Sequence, residues 1–418
     1  MSDATPVIDP EENGPEGDVF YLPPSPLPDG VPGDPIHARR LDNPAAALEA
    51  GENWLVLHRS QDVRGEAVAT SGIIVLPDRD EHPLPADGSG YPLVTWAHGT
   101  VGIANFVAPS RDRGDTGASP MNASPHGLLN GFLRRGWAVA MTDYEALGTG
   151  TEEHLHPYLL GASEANGVLD IVLAARRLFR GAIGDAYAIV GHSQGGQAAL
   201  FAAHHAPERV GNGLVGVAAI APSNHPLGLV RFGATDGKEG EGFAFTPLFL
   251  AGALGGDPTI DPAQVLTDEA LALWPQARHL SRAELSEPES WGGIKGSDQF
   301  RGSYPQNPNP HQVNFDRQLG AMNPDVEITV PVRITQAADD LRVRAALPFP
   351  LKGTDVLVDE LNSTNKKHGI EVEYERIAKD VVEVPQSEPQ KTLGVHFATI
   401  DHDAADLTDW VHDLFTHA

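Results

Sequence analysis

Five residues near the middle of the chain have the types and spacing of a serine nucleophile. Gly191, His192, Ser193, Gln194 and Gly195 form the pattern G-x-S-x-G, between an apolar run that predicts a strand and a pattern that predicts a helix. In such an elbow the glycines let the two arms pass closely, and the serine hydroxyl stands above the edge of a sheet. The short pattern also occurs by chance, so its flanking elements are what favour catalysis.

A nucleophilic serine requires a base, a carboxylate that orients the base, and hydrogen-bond donors for an oxyanion. The backbone N–H of Gln194 is the first predicted donor, because it directly follows the nucleophile. The second is the backbone N–H of Thr100, in the loop that follows the predicted strand 93–97. We therefore predict an oxyanion hole formed by Thr100 and Gln194.

Two neighbouring carboxylates follow the predicted strand 331–336 and could supply the acid. Asp339 and Asp340 would lie at the carboxyl end of a late parallel strand, at the same sheet edge as the elbow. We predict Asp340 as the acid and keep Asp339 as the alternative. Either could instead be an ordinary turn or helix-cap aspartate.

Two histidines near the carboxyl terminus could supply the base. His396 is predicted to lie in a short loop before a closing helix over 403–415, from which an imidazole could reach back to the sheet edge. His402 stands between two aspartates at the predicted helix start and is more typical of a solvated or capping residue. We predict His396, which gives the chain order Ser193, Asp340, His396 that is typical of G-x-S-x-G hydrolases.

Composition excludes several kinds of site and partner. The 418 residues include no cysteine, which excludes disulfides, thiolate metal ligands and a cysteine nucleophile. Two pairs of histidines, His154 with His156 and His204 with His205, lack a nearby carboxylate pattern, so no metal site is predicted. Serine chemistry needs no cofactor. A formal net charge of −28 disfavours nucleic acid and anionic membranes as partners. A neutral or cationic partner is expected instead.

The order of predicted elements indicates an α/β fold with a mixed, mostly parallel sheet flanked by helices. Apolar segments at 54–58 and 67–76 predict antiparallel edge strands. From residue 93 onward, predicted strands and helices alternate, which indicates right-handed crossovers between parallel strands.

The alternation lapses in one long segment and divides the chain. Residues 222–327 are predicted to be an inserted, mainly helical cap or lid, so that 19–221 and 328–418 form the core. Residues 1–18 are polar and rich in Pro, Gly and Glu, which predicts a disordered arm. They lack the basic and apolar regions of a signal peptide, and no apolar run approaches the ~18 residues of a membrane span. We expect a soluble protein without a transmembrane anchor, either cytoplasmic or, if a leader precedes it, secreted.

Several short motifs occur together in a specific order along the chain. They are the aromatic and proline-rich strap 20–28, then 96–100, 143–148, 156–159, the elbow 191–196, and 336–340. In this order they resemble the secretory lipase family of α/β-hydrolases, the fungal lipase A type with many actinobacterial relatives. Two features depart from the family pattern, namely Ala337 in place of glycine and a longer stretch over 380–395.

The resemblance implies an α/β-hydrolase fold and a serine esterase or lipase acting on a small-molecule ester or lipid. It also implies a cap with a lid over an acyl-binding tunnel, for which the apolar stretch 243–254 is the candidate wall; ordinary cap core is the alternative. An acyltransferase or amidase on the same fold is the next hypothesis, and a non-catalytic binding protein that kept the fold is the third.

Overall fold

Nine strands form one mixed sheet in the part of the chain that the structure, a computed structural model, describes: residues 14–151 and 154–417. The strands are β1 (Pro35–Arg40), β2 (Gly51–Gln61), β3 (Ala67–Pro77), β4 (Tyr91–Ala97), β5 (Ala138–Thr142), β6 (Ile183–His192), β7 (Leu214–Ile220), β8 (Val332–Ala337) and β9 (Glu373–Ile377). Their order across the sheet is β1-β2-β3-β5-β4-β6-β7-β8-β9. Pairs from β1 to β5 are antiparallel and all later neighbours are parallel. The predicted fold class is confirmed.

Helices connect these strands and cover both faces of the sheet. They are α1 (Ser119–Ala123), α2 (His126–Arg134), α3 (Gly161–Leu178), α4 (Gln194–Arg209), α5 (Pro226–Gly233), α6 (Thr246–Gly256), α7 (Pro262–Val265), α8 (Asp268–Leu273), α9 (Arg282–Leu285), α10 (Pro310–Ala321), α11 (Thr354–Asn365) and α12 (Gln390–Thr416). Short 3-10 turns lie at Gly17–Tyr21, Asn105–Val107, Pro109–Arg111, Glu241–Phe245, Trp274–Arg278, Trp291–Gly293, Gly296–Asp298 and Lys366–His368.

The central strands are buried on both faces because alternate side chains enter two different cores. On β4, Leu93 packs in the core formed with α3, α4 and α11, whereas Val94 and Trp96 pack in the core formed with α2 and α12. This two-sided burial accounts for the nearly continuous apolar sequence of the parallel strands. It also holds α4 and α12, which carry candidate site residues, against the same sheet.

Residues 222–327 contain α5 to α10 and have an apolar core of their own. We call them the helical insertion. Leu248, Trp291 and Phe315 are among its fully buried side chains, and Tyr158, from the segment before α3, packs with them. The role of this insertion as a lid stays a prediction.

The predicted amino-terminal arm, residues 1–18, is described only in part. Residues 1–13 of the predicted arm lie outside the described residues, while the 3-10 turn Gly17–Tyr21 buries Phe20 and Tyr21 against the first strands.

The closing helix begins at Gln390 and not near residue 403, so that boundary was wrong. Gly394 interrupts the helical pattern in the sequence, but in the structure it kinks a continuing helix. Among the described helices, none is long and apolar enough for a membrane span.

A buried ion pair fastens α12 to the sheet. Both Nη atoms of Arg333 on β8 donate to Asp403 on α12, at 2.7 Å each, and the Thr335 hydroxyl donates to the same carboxylate at 2.7 Å. Both charged side chains are almost completely buried. Such a bidentate pair fixes orientation as well as distance.

We expect Asp403→Ala to lower the free energy of unfolding by roughly 3–5 kcal/mol, because it leaves the Arg333 guanidinium buried without its anion. Urea unfolding followed by circular dichroism measures this. The control is Asp409→Ala on the same helix, whose partner Arg135 is exposed; its expected loss is at most about 1 kcal/mol. Equal losses for the two variants would contradict the assigned importance of the buried pair.

Candidate active site

Ser193 lies in a strained turn between β6 and α4. Its backbone has φ 58° and ψ −117°, outside the usual range of residues with a side chain. A Cβ atom on Gly191 would lie 2.0 Å from the Gly195 carbonyl oxygen, and one on Gly195 would lie 1.8 Å from that of Ala97. Both glycines are therefore required by close backbone approach. The result is a sharp elbow with the hydroxyl at the carboxyl edge of the sheet.

His396 and Asp340 are in direct contact at the same edge. The His396 Nδ1 atom lies 2.7 Å from Asp340 Oδ2, and Asp340 Oδ1 accepts the backbone N–H groups of Arg342 and Val343. Burial favours a neutral carboxyl, but the His396 charge and these hydrogen bonds outweigh it and hold the pKa of Asp340 below its usual value. The carboxylate is therefore suited to orienting an imidazole.

The competing residues do not make the contact between His396 and Asp340. Asp339 Oδ2 accepts the backbone N–H of Asp380 at 3.1 Å, and His402 is exposed on α12. The structure thus brings together His396 and Asp340, and not Asp339 or His402. His396 belongs to α12, two residues after the kink at Gly394, where φ is 68° and ψ is −165°. The short loop expected around it was wrong, since the kink itself turns the helix towards the sheet edge.

His192, a variable position of the elbow motif, holds the backbone of His396. Its Nε2–H donates to the His396 carbonyl oxygen at 3.0 Å, and the two ring centroids are 4.4 Å apart. Burial lowers the pKa of His192 well below its usual value, so the ring stays neutral. This brace was missed from the sequence, because only the fold places residue 192 beside residue 396.

The two predicted oxyanion donors both lie near Ser193. Gln194 is the first residue of α4, where backbone N–H groups have no intrahelical acceptor. Thr100 lines the cavity beside Ser193, and its hydroxyl lies 2.9 Å from the Tyr158 hydroxyl. Within residues 14–151 and 154–417, neither backbone N–H donates to a protein acceptor. Both groups are free to donate to a ligand.

The side chain of Gln194 is held in a buried polar network. Its Nε2 donates to Glu164 Oε1 at 2.7 Å and to His156 Nε2 at 2.9 Å. Glu164 also accepts the backbone N–H of Leu159 at 2.7 Å. Burial raises the pKa of Glu164 to about 8 and lowers that of His156 to about 3, so both are neutral at pH 7. The network was missed from the sequence, since Gln194 is 30 residues from Glu164 and 38 from His156.

A cavity of about 740 Å³ opens above these residues. Ser193, His396 and Thr100 line it, and about half of its lining residues come from the helical insertion. The apolar side chains that the insertion contributes include four aromatic rings, those of Phe243, Phe245, Phe249 and Phe300. An apolar cavity with a few convergent polar groups is typical of small-molecule sites.

The described part of the chain contains no cluster of three or more His, Asp or Glu side chains that could hold a metal ion. His154 Nε2 contacts Glu145 Oε1 at 2.7 Å instead, and His156 belongs to the Gln194 network.

We expect Glu164→Gln to be more stable than the unaltered protein at about pH 8, and to have less of this advantage at about pH 5. Glu164 is protonated in the folded state up to about pH 8, whereas it ionises near its usual value when unfolded. Stability from this group is therefore complete at low pH and is lost as the pH rises between these values. Glutamine removes that loss. Thermal unfolding of both proteins across this range measures it.

The control for this prediction is Glu208→Gln, which changes an exposed side chain on the same helix as Gln194. It should leave the pH dependence of thermal unfolding as in the unaltered protein. If Glu164→Gln also leaves that dependence unchanged, Glu164 is not a buried neutral acid.

Comparisons with known proteins show which family and which solved structures the chain resembles. The model of the secretory lipase family matches residues 124–246, which include the elbow. The rice cell wall degrading esterase LipA from Xanthomonas oryzae is 18% identical, with a TM-score of 0.68 over 92% of this chain and 99% of that chain. Lipase A from Candida antarctica, in its closed state, is 16% identical, with a TM-score of 0.62 over 86% of this chain and 79% of that chain.

A putative hydrolase from Legionella pneumophila is 17% identical, with a TM-score of 0.60 over 84% of this chain and 87% of that chain. No curated protein gives a significant match. The structural likenesses establish the fold, and the family match adds the sequence signature around the elbow. The predicted resemblance to the secretory lipases is confirmed over residues 124–246, and the chain has the α/β-hydrolase fold that it shares with these solved structures.

Proposed function

We propose that the protein hydrolyses carboxylic esters through an acyl-enzyme on Ser193, with His396 as base and Asp340 as the orienting acid. One observation carries the proposal: a strained elbow serine lines the same cavity as an imidazole whose Nδ1 is 2.7 Å from a buried carboxylate. These are the residue types and the chain order of serine hydrolases with a G-x-S-x-G elbow.

The first step is attack of the Ser193 hydroxyl on the ester carbonyl carbon. Because His396 Nδ1 is bonded to Asp340, its Nε2 is the nitrogen left to take the serine proton. The resulting imidazolium is stabilised by the Asp340 carboxylate. It then donates the proton to the leaving alcohol, and the acyl-enzyme forms.

Water reverses these roles in the second half of the reaction. His396 takes a proton from water, the hydroxide attacks the acyl carbon, and Ser193 leaves with the proton from the imidazolium. The products are the carboxylic acid and the alcohol, and the enzyme is regenerated without metal or redox chemistry.

Negative charge on the carbonyl oxygen would be stabilised by the backbone N–H groups of Gln194 and Thr100. The amino-terminal end of α4 adds its helix dipole to the same point. A donor of this kind is worth about 10² to 10³ in rate. The buried contacts of the Gln194 side chain hold the first donor still, which is what such preorganisation requires.

One contact of the proposed triad is not formed in the described residues: the Ser193 hydroxyl makes no hydrogen bond to His396. Catalytic hydrogen bonds are often long in the absence of substrate and tighten in the bound complex. The Gly394 kink, two residues before His396, supplies a backbone position where such an adjustment is possible.

The helical insertion, residues 222–327, supplies the substrate wall in this proposal. Phe243, Phe245 and Phe249 face the cavity from its 3-10 turn Glu241–Phe245 and from α6. We propose that it acts as a cap, with the core formed by 19–221 and 328–418, and that its aromatic face receives the apolar part of the ester.

Ser193→Ala is expected to abolish release of 4-nitrophenol from 4-nitrophenyl butyrate, because no nucleophile remains. Thermal unfolding should change little. A fluorophosphonate probe should attach one label to the unaltered protein, and peptide mass spectrometry should locate that label at Ser193. Ser223→Ala, which removes another hydroxyl lining the cavity, should still be labelled at Ser193. Labelling elsewhere, or unaltered turnover in Ser193→Ala, would contradict the proposal.

Paired variants test the base and the acid. His396→Ala should lower kcat by about 10⁴, whereas His402→Ala should leave it within about threefold. Asp340→Asn should also lower kcat by about 10⁴ through loss of the orienting charge, and Asp339→Asn by less than about tenfold. Steady-state kinetics on one soluble ester suffices, and a greater loss in the His402 or Asp339 variant would reassign that role.

A further inference from the structure

Three charged side chains form a cluster on the cavity wall. Glu241 and Arg282 belong to the helical insertion, and Arg342 follows Asp340 in the core. Glu241 Oε1 contacts Arg282 Nη2 and also lies 3.1 Å from Arg342 Nη2. One carboxylate thus bridges two guanidinium groups, and the cluster carries one net positive charge.

Most of the donors in this cluster are not used by Glu241. A guanidinium has five N–H donors in a planar fork, and Glu241 engages one nitrogen of each arginine. The Arg282 side chain is 5% exposed, and its Nε has no hydrogen-bond partner among the described residues. Beyond the carboxylate, it packs on the Phe245 ring at 4.7 Å. A buried cation with spare donors lacks its full complement of acceptors.

The wider cavity wall is also biased towards positive charge. Arg344, Lys352 and Lys391 line it, against Asp236 and Asp339. Lys352 is paired with a carboxylate, but the other two cations have no ion pair among the described residues. The chain as a whole has 57 acidic and 29 basic residues. A wall in which basic side chains outnumber acidic ones is therefore the reverse of the rest of the molecule.

The cluster lies on the side of the cavity that holds the proposed base. The Arg342 guanidinium is 5.4 Å from the centroid of the Phe397 ring, which follows His396. Burial raises the pKa of Glu241, but Arg282, Arg342 and, more weakly, His396 outweigh it, and the net effect is a pKa below the usual value. This part of the wall stabilises a carboxylate.

We propose that the cavity takes esters that also carry a carboxylate, bound between Arg282 and Arg342 in competition with Glu241. The inference rests on the ester hydrolysis proposed above and names its substrate class. Arginine pairs recognise carboxylates through two-point hydrogen bonds, and desolvation by the aromatic wall strengthens them. The half-esters of dicarboxylic acids are the simplest members of this class.

The test compares kcat/KM for the 4-nitrophenyl half-ester of glutaric acid with that for 4-nitrophenyl valerate, which has the same chain length and no charge. The quantity of interest is the ratio of the two values. Arg282→Gln and Arg342→Gln should each lower the ratio about tenfold, mainly through KM of the half-ester. Glu241→Gln should raise it, because the competing anion is gone.

This opposite sign separates recognition from a structural role. If the three side chains served only to fasten the insertion to the core, all three variants would shift both esters alike. The matched control is Arg317→Gln, which breaks a pair with Asp257 on the insertion away from the cavity; its ratio should equal that of the unaltered protein. If the buried Arg282 variant fails to fold, the more exposed Arg342 decides the result.

A second pair of substrates locates the carboxylate. The butyrate ester of 4-hydroxybenzoic acid carries the charge on the alcohol side of the ester bond, and phenyl butyrate is its neutral counterpart. If Arg342→Gln lowers the ratio of kcat/KM for this pair, the carboxylate binds on the alcohol side and the inference is supported. If the ratio changes in no variant for either pair of esters, the inference of a carboxylate-bearing substrate is overturned. Hydrolysis of 4-nitrophenyl valerate would then still support the proposed function. Absence of hydrolysis of every ester, charged or neutral, removes the proposed function and the inference together.

Discussion

The contact between His396 and Asp340 is the constraint on which the candidate site depends, because it joins two separate elements at one sheet edge. Asp340 is fixed by the loop after β8, where it accepts two backbone N–H groups. His396 is fixed by α12, which the Arg333 and Asp403 ion pair fastens to β8 itself. One strand therefore determines both the position of the acid and the placement of the helix that carries the base.

The elbow contributes more than a nucleophile to this arrangement. His192, on one side of Ser193, donates to the carbonyl oxygen of His396. Gln194, on the other side, presents a free backbone N–H while its side chain is held by Glu164 and His156. The residues that flank the serine thus connect the proposed nucleophile to both the proposed base and the proposed oxyanion site. Since the network is buried and neutral, it gives rigidity without placing another charge beside the reaction.

The side chains that line the cavity bear on which substrates can bind. Its aromatic wall suits an apolar acyl or alcohol group, whereas the Arg282 and Arg342 pair suits an anion. From a net charge of −28, a neutral or cationic partner is the natural expectation. Net charge describes the long-range field of the whole molecule, but recognition inside a cavity depends on the few desolvated groups that line it. The two can differ in sign, as they do here.

The sequence by itself determined the fold class, the elbow and a short list of candidates for the acid, the base and the oxyanion donors. Strand and helix alternation and the G-x-S-x-G pattern are local signals, so residue order suffices to read them. Only the tertiary structure brought His396 rather than His402 to Asp340, since that choice depends on the Gly394 kink and on how α12 packs. The braces by His192 and Glu164 and the arginine pair were likewise decided by folding, because each joins residues distant in the chain whose types have no local pattern.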